Sequence, residues 1–194
     1  GWGKRFRIAI KGSDPRNGRP FIWHMFHARP GAGASSGGDG WHGSGEWHSA
    51  GGLKFGSVEV AETRFPLFFE RHEYREYSGG DGRYIGGSGC ELLMHLETEV
   101  DCVVNTAGEG IRHAGEGREG GGPGATHDYR VIAPDGADRI LKTKEEGVPV
   151  RAGSIFDVRS GGGGGWGSPV LRSAEEREED ELAGLPPIAA GRMV

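Results

Sequence analysis

Apolar and polar residues alternate with a period of two along several short stretches of the chain, and helical spacing competes with it in only two places. Phe6, Ile8 and Ile10 are separated by Arg7 and Ala9, the pattern of a half-buried strand. Residues 13–18 hold Asp14-Pro15 and Asn17-Gly18, which is turn chemistry, and residues 21–26 predict a second, aromatic-rich strand. A long stretch with little periodicity follows, over 28–52. Residues 57–64 fit a helix capped by Ser57 and stopped by Pro66, or a strand with Val58 and Val60 on one face. Further strands are predicted over 67–74, 91–104 (long enough to bend), 129–133, 139–143 and 154–159, with Pro134-Asp135-Gly136 as a turn. Residues 174–183 make the best helix, although it is polar around most of its circumference. The expected class is therefore mainly β, with α+β possible: a glycine-rich, multi-stranded domain over 1–172 ending in a short helix within an acidic tail, 173–194.

Composition changes this picture at one point. Glycine supplies 39 of 194 residues, against a usual share of roughly 7%. No Gly-X-Y period is present, and five Trp, eight Phe and four Tyr are too many large side chains for a flexible linker. The glycines are expected at turns and close backbone approaches in a folded unit. In particular, the run Gly161 to Gly165 beside Trp166 is expected to be structural, and Gly163→Val to lower stability because a β-branched residue is restricted where φ is positive.

Charge narrows the partners. Residues 175–181 hold six acids and one arginine, equal to the whole net charge of −5, so the remaining chain is balanced. A balanced body without a basic stripe excludes nucleic acid and anionic membranes as expected partners. Cys90 and Cys102 lack CxxC spacing and lie among alternating apolar residues, as buried free thiols of a reducing compartment do. With no apolar run near the 18 residues of a membrane span and no leader, the expected location is the cytoplasm. The opening GWGKRFRIAI has no initiator Met and reads as the middle of a longer protein.

Candidate chemistry is sparse. Gly162, Gly164 and Gly167 formally satisfy GxGxxG, but five consecutive glycines make that match nearly inevitable, and Ser168-Pro169 stands where a phosphate-binding helix should open. No GxxxxGK[ST], GxSxG or HExxH occurs. Histidines gather early, at His24, His27, His42 and His48. His42, Glu46 and His48 are the candidate catalytic residues, because Glu46 and His48 would share a strand face and the intervening glycines would let His42 fold back. The alternative is that these histidines order the loop by bonding backbone, Asp39 or Glu46. His48→Ala is expected to reduce turnover without preventing assembly. Trp41 and Trp47 are expected either as exposed aromatics at an inter-subunit surface or as side chains filling the domain's own core.

Three segments in order resemble the C-terminal region of the hydantoinase B/oxoprolinase family: SVEVAETRFPLFFERHEYREYSGGDGRYIGGSG (57–89), EGGGPG (119–124) and VRSGGGGGWGSP (158–169). With GGDGWHGSGEWHS upstream, the resemblance covers about 20–172. Ser168 stands where the family usually has aspartate, and Ile85 where arginine is usual. The resemblance implies a component of an ATP-dependent amidohydrolase that opens cyclic amides of the hydantoin or 5-oxoproline type. The alternatives are a subunit of an ATP-dependent ketone carboxylase (acetone or acetophenone type) and a non-catalytic assembly module. It also implies a hydantoinase A-like partner subunit carrying ATP, a missing N-terminal portion of this chain's own subunit, a small-molecule substrate, and a divalent metal in the assembled complex that is not assigned to this chain. The chain alone is expected to be inactive.

Overall fold

The computed structural model describes Gly3, residues 5–44 and residues 56–188. In chain order the elements are β1 (Phe6–Ser13), β2 (Pro20–His24), α1 (Val58–Arg64), β3 (Leu67–Tyr74), β4 (Cys90–Leu96), β5 (Cys102–Gly108), β6 (Asp128–Ile132), β7 (Asp138–Ile140), β8 (Lys144–Val150), β9 (Ile155–Arg159) and α2 (Ala174–Leu182). All strand pairing is antiparallel. One sheet has the order β2-β1-β5-β8 and the other β3-β4-β9-β6-β7.

The two sheets share one apolar core, and the strand register shows why the alternation works. Trp23, Ile10, Val104 and Val148 lie in one inward row across the first sheet. Leu92-Val158-Tyr129 and Met94-Phe156-Val131 form two rows across the second. All ten belong to one buried cluster, each side chain contributing roughly 1.5–3 kcal/mol when fully buried. A one-residue slip in any of these strands would turn its whole row to solvent. The outer face of the second sheet is different: Arg159 faces Glu91 and Asp157, and Arg130 faces Asp128 and Asp138, a ladder of paired charges suited to water.

The reading of the alternation needs correction at three points. Residues 91–104 are not one bent strand: Cys90–Leu96 and Cys102–Gly108 belong to different sheets. Both strands face the same core, so Leu92, Met94, Leu96 and Thr98 before the crossing and Cys102 and Val104 after it are buried in one phase, with Val100 between them exposed but apolar, and periodicity alone cannot see the change of sheet. Strand β8 was not expected at all, because its first half is polar and it contains Pro149; it is an edge strand, where proline is tolerated. The strand expected over 139–143 is the three-residue β7. Residues 57–64 are helical, with the Ser57 side chain accepting from the Val60 N–H.

Glycine-rich segments leave or enter the second sheet at one end, after β3 and β9 and before β4 and β6. There the backbones pack against each other without side chains between them. A Cβ on Gly162 would lie 1.8 Å from the Ser78 oxygen, and one on Gly165 would lie 2.1 Å from the Asp81 oxygen; both chains advance by three. On another side, Gly121 abuts Gly165 and Gly124 abuts Gly162, again with a step of three but antiparallel. A three-residue repeat with bonds radiating to several neighbours is the geometry of polyproline II-type helices side by side. Gly163 donates to Gly87 and accepts from Gly80, Gly164 accepts from Ala34, and Gly165 donates to Gly122 and accepts from Arg118. None of Gly161 to Gly165 has a positive φ. The run is structural, but the reason given above for Gly163→Val is wrong: what excludes a side chain is the approach of Ala32, whose oxygen would lie 1.8 Å from a Cβ.

Candidate functional site

Polar side chains fix this glycine bundle to the sandwich. Ser160 Oγ accepts from the Cys90 N–H at 2.7 Å and donates to the Arg29 carbonyl at 2.7 Å. His127 Nδ1 accepts from the Gly161 N–H at 2.9 Å. The buried Arg75 guanidinium donates to the carbonyls of Thr126 at 2.8 Å and Ser160 at 3.1 Å, and burial lowers its pKa. Sequence reasoning gave the scattered His127 an ordinary structural part and passed over Ser160 and Arg75, since single residues 85 positions apart carry no local pattern.

Next to the bundle lies a second polar hub. Arg172, 4% exposed, donates to Asp39 at 3.0 Å and to Asp180 at 2.7 Å. Although burial opposes the charged form, the bonds to both carboxylates raise its pKa. Asp39 also accepts from the Ile85 N–H at 2.7 Å. The hub thus ties the loop after β2, the segment after β3 and helix α2 together. Helix α2 buries no residue of its own; a capping box between Ser173 and Glu176 starts it, and Glu176 bonds Arg83 at 2.6 Å. The resulting paired charges hold Glu176 down to about 2.

Of the sequence candidates, Glu46 and His48, with Trp47, lie outside the described residues. His42 sits beside the hub. Its Nδ1 accepts from the Ser88 N–H at 2.9 Å, and its ring packs on Tyr74 with centroids 5.8 Å apart. A backbone N–H pointing at Nδ1 leaves the proton on Nε2, so His42 is held as a neutral donor, and burial lowers its pKa in the same sense. It cannot act as a base through Nδ1 while that bond stands. Part of the loop-ordering alternative is therefore realised: His42 does bond backbone. His27 is buried against Phe69 and Trp23, and burial brings its pKa down to about 4. Among the described residues no group of three or more His, Cys, Asp or Glu is placed to hold a metal, so no step is assigned to an ion here. A shallow concavity of about 670 Å³ opens between Ala32 and Trp41, lined mainly by glycine backbone and Asp39. Cys90 and Cys102 are buried free thiols, as expected, and burial pushes Cys90 up to about 12.

The profile described as hydantoinase B/oxoprolinase matches residues 2–169. The chain belongs to the hydantoinase B/oxoprolinase family. Among its relatives, the caprolactamase subunit beta of Pseudomonas jessenii is 29% identical over 99% of this chain and 34% of its own length. The 5-oxoprolinase 1 of Arabidopsis thaliana is 35% identical over 58% of this chain and 9% of its own. The chain thus spans about a third or less of these relatives. The crystal structure of ATP-dependent caprolactamase from Pseudomonas jessenii superposes with a TM-score of 0.72 at 26% identity, covering 96% of this chain and 33% of that one. Nucleotide-free acetone carboxylase superposes with a TM-score of 0.75 over 94% of this chain and 28% of that one, but at 20% identity it shows the fold alone. Of the departures from the family's usual pattern, Ile85 is buried with its N–H held by Asp39, and Ser168 precedes a single 3-10 turn, Pro169–Leu171, without a side-chain capping bond. Among the described residues no helix is long and apolar enough to cross a membrane.

Proposed function

We propose that this chain is part of a subunit of an ATP-dependent complex that hydrolyses a cyclic amide, acting with a hydantoinase A-like subunit that binds the ATP. The observation that carries this reading is the match to a caprolactamase subunit beta along 99% of the chain, supported by the superposition on the caprolactamase structure. The division of labour suits the glycine run. The N–H groups of Gly161, Gly163 and Gly165, which a phosphate would need, already donate to His127, Gly87 and Gly122, which supports reading the formal GxGxxG match as packing rather than a nucleotide loop. A carboxylase of ketones has only the shared fold behind it, and fold alone does not choose a reaction. A divalent metal belongs to the same reading, as a group of the assembled complex.

In this reading His42 lies at the border of the substrate site. A neutral imidazole with its Nε2–H directed away from the backbone suits donation to an amide carbonyl or to the oxyanion formed from it. The test uses the complete gene product that carries this chain, with its partner subunit, ATP and divalent metal. Caprolactam, hydantoin, 5-oxoproline, and acetone or acetophenone with bicarbonate are offered in turn, and ADP or AMP release is followed. Nucleotide release that depends on one of the cyclic amides is expected. Release only with a ketone and bicarbonate would replace this reading with the carboxylase, and turnover by the isolated chain would remove the need for a partner.

A further inference from the structure

Four large apolar side chains lie open to solvent around the Arg172 hub: Trp41 at 65% exposed, Val170 at 85%, Leu171 at 64% and Leu182 at 81%. Their positions follow from the hub. Trp41 is two residues from Asp39, Val170 and Leu171 are two and one from Arg172, and Leu182 is two from Asp180. Two residues of chain reach at most about 7 Å, so each apolar residue begins close to one member of a single ion-paired cluster. Two neighbouring C-terminal segments and one 133 residues away are pinned together, and each carries a hydrophobic residue within two positions of the pin. Scattered exposed apolar residues need no explanation, but a group assembled in this way marks an interaction surface.

Charge says what kind of surface fits it. Helix α2 uses Glu176 and Asp180 to hold the body. Glu175, Glu178, Glu179 and Glu181 are all exposed and form no ion pair among the described residues. They leave an acidic ridge beside the apolar group. The opposite treatment is seen on the outer face of the five-stranded sheet, where the charges are paired with one another.

We propose that Trp41, Val170, Leu171 and Leu182, edged by the outward acids of α2, form the docking surface for the partner subunit, which meets them with an apolar centre and a basic rim. This rests on the reading of the chain as part of a multi-subunit complex. The apolar residues supply the buried centre and the acids set orientation and association rate.

The experiment uses the complete gene product and its partner subunit, with wild type compared against V170D/L171D and E178K/E179K. Dissociation constants are measured over a salt series, and each variant subunit is melted alone. Within this chain Val170 and Leu171 are open to solvent, so V170D/L171D is expected to melt as wild type does but to bind the partner about tenfold or more weakly, the cost of losing a central apolar contact. E178K/E179K slows association at low salt, and the difference fades as salt rises. Unchanged affinity in V170D/L171D overturns the proposal while leaving the complex itself intact. A lowered melting temperature of V170D/L171D alone also overturns it, because the surface would then be covered by the same subunit's own chain. If wild type forms no complex with any partner subunit, the functional reading falls and takes this surface with it.

Discussion

Substituting Gly163 by alanine tests the most specific physical statement available about this fold. The new methyl carbon would lie 1.8 Å from the Ala32 oxygen, 2.2 Å from its carbonyl carbon and 2.6 Å from the Gly33 nitrogen. These are backbone atoms, so no rotamer change relieves the contact. Separating them to ordinary contact needs a backbone shift on the order of 1.5 Å, enough to break the bonds of Gly163 to Gly87 and Gly80, now 2.9 and 2.8 Å long. Overpacking costs about 1–3 kcal/mol and each buried group left without a partner a further 1–3 kcal/mol or so. With two bonds broken, a loss of roughly 3–9 kcal/mol is therefore expected, a large share of a typical total of about 5–15 kcal/mol. At about 2–4 °C per kcal/mol for a chain of this size, the melting temperature should fall by on the order of 10 °C. Gly136→Ala is the control that separates crowding from conformation: Gly136 has φ +83° but nothing within 4 Å of a Cβ, so only the left-handed backbone is penalised, by about 1–2 kcal/mol. If Gly163→Ala melts with Gly136→Ala or above it, the close-packed bundle is not what stabilises this end of the molecule.

Three other outcomes follow from the polar groups. Arg172→Met should free α2, which buries nothing of its own, and limited proteolysis should then cut within 173–188 at a protease concentration that leaves wild type whole; an unchanged digestion pattern would show that other contacts hold the helix. Glu176 has a folded pKa of about 2, below its unfolded value, so its stabilising effect is complete above the ordinary carboxylate range and is lost as pH falls toward 2. The melting temperatures of wild type and Glu176→Gln should therefore differ near neutral pH and converge in acid, and a constant gap across the acid range would count against the Arg83 pairing. His42 should titrate below the ordinary histidine range, carrying its proton on Nε2 while neutral. Nitrogen shifts in a labelled sample read this directly, and a ring that titrates at or above the ordinary histidine range, or a neutral ring protonated on Nδ1, would contradict the Ser88 bond.

The strands were legible in the chain to the extent that each one faces a single core. Ile8, Ile10, Leu92, Met94, Phe156 and Val158 announce themselves by alternation because one face of each strand is buried and the other is not. The same rule joined β4 to β5, since their shared core keeps Thr98 and Cys102 in phase across the change of sheet. It also missed β8, whose edge position tolerates Pro149 and polar residues. The hub of Asp39, Arg172 and Asp180 had no signal at all, because its members are separated by 133 and 8 residues and nothing local requires them to meet. Of the candidate trio, only His42 lies among the described residues, and its role is set by Ser88, a partner 46 positions away.

The glycine run shows how one composition supports two opposite readings until its hydrogen bonds are followed. A phosphate-binding loop and a packed polyproline II-type helix both need residues without a Cβ, the first so that an anion can reach the backbone N–H groups and the second so that other backbones can. The glycine spacing by itself cannot separate them, although Ser168-Pro169, where a phosphate-binding helix should open, already counts against the first. The partners can: the N–H of Gly163 is met by Gly87, that of Gly165 by Gly122 and that of Gly161 by His127. Bundling these segments satisfies buried backbone groups that neither sheet nor helix could take up, in a region with almost no side chains to bury. Its stability comes from many short backbone bonds that tolerate no added atom. That rigid bundle backs the loop holding Asp39, Trp41 and His42, and the Arg172 pairing with Asp39 and Asp180 fixes that loop against α2, which is why His42, Trp41 and the hub lie together at this end of the molecule.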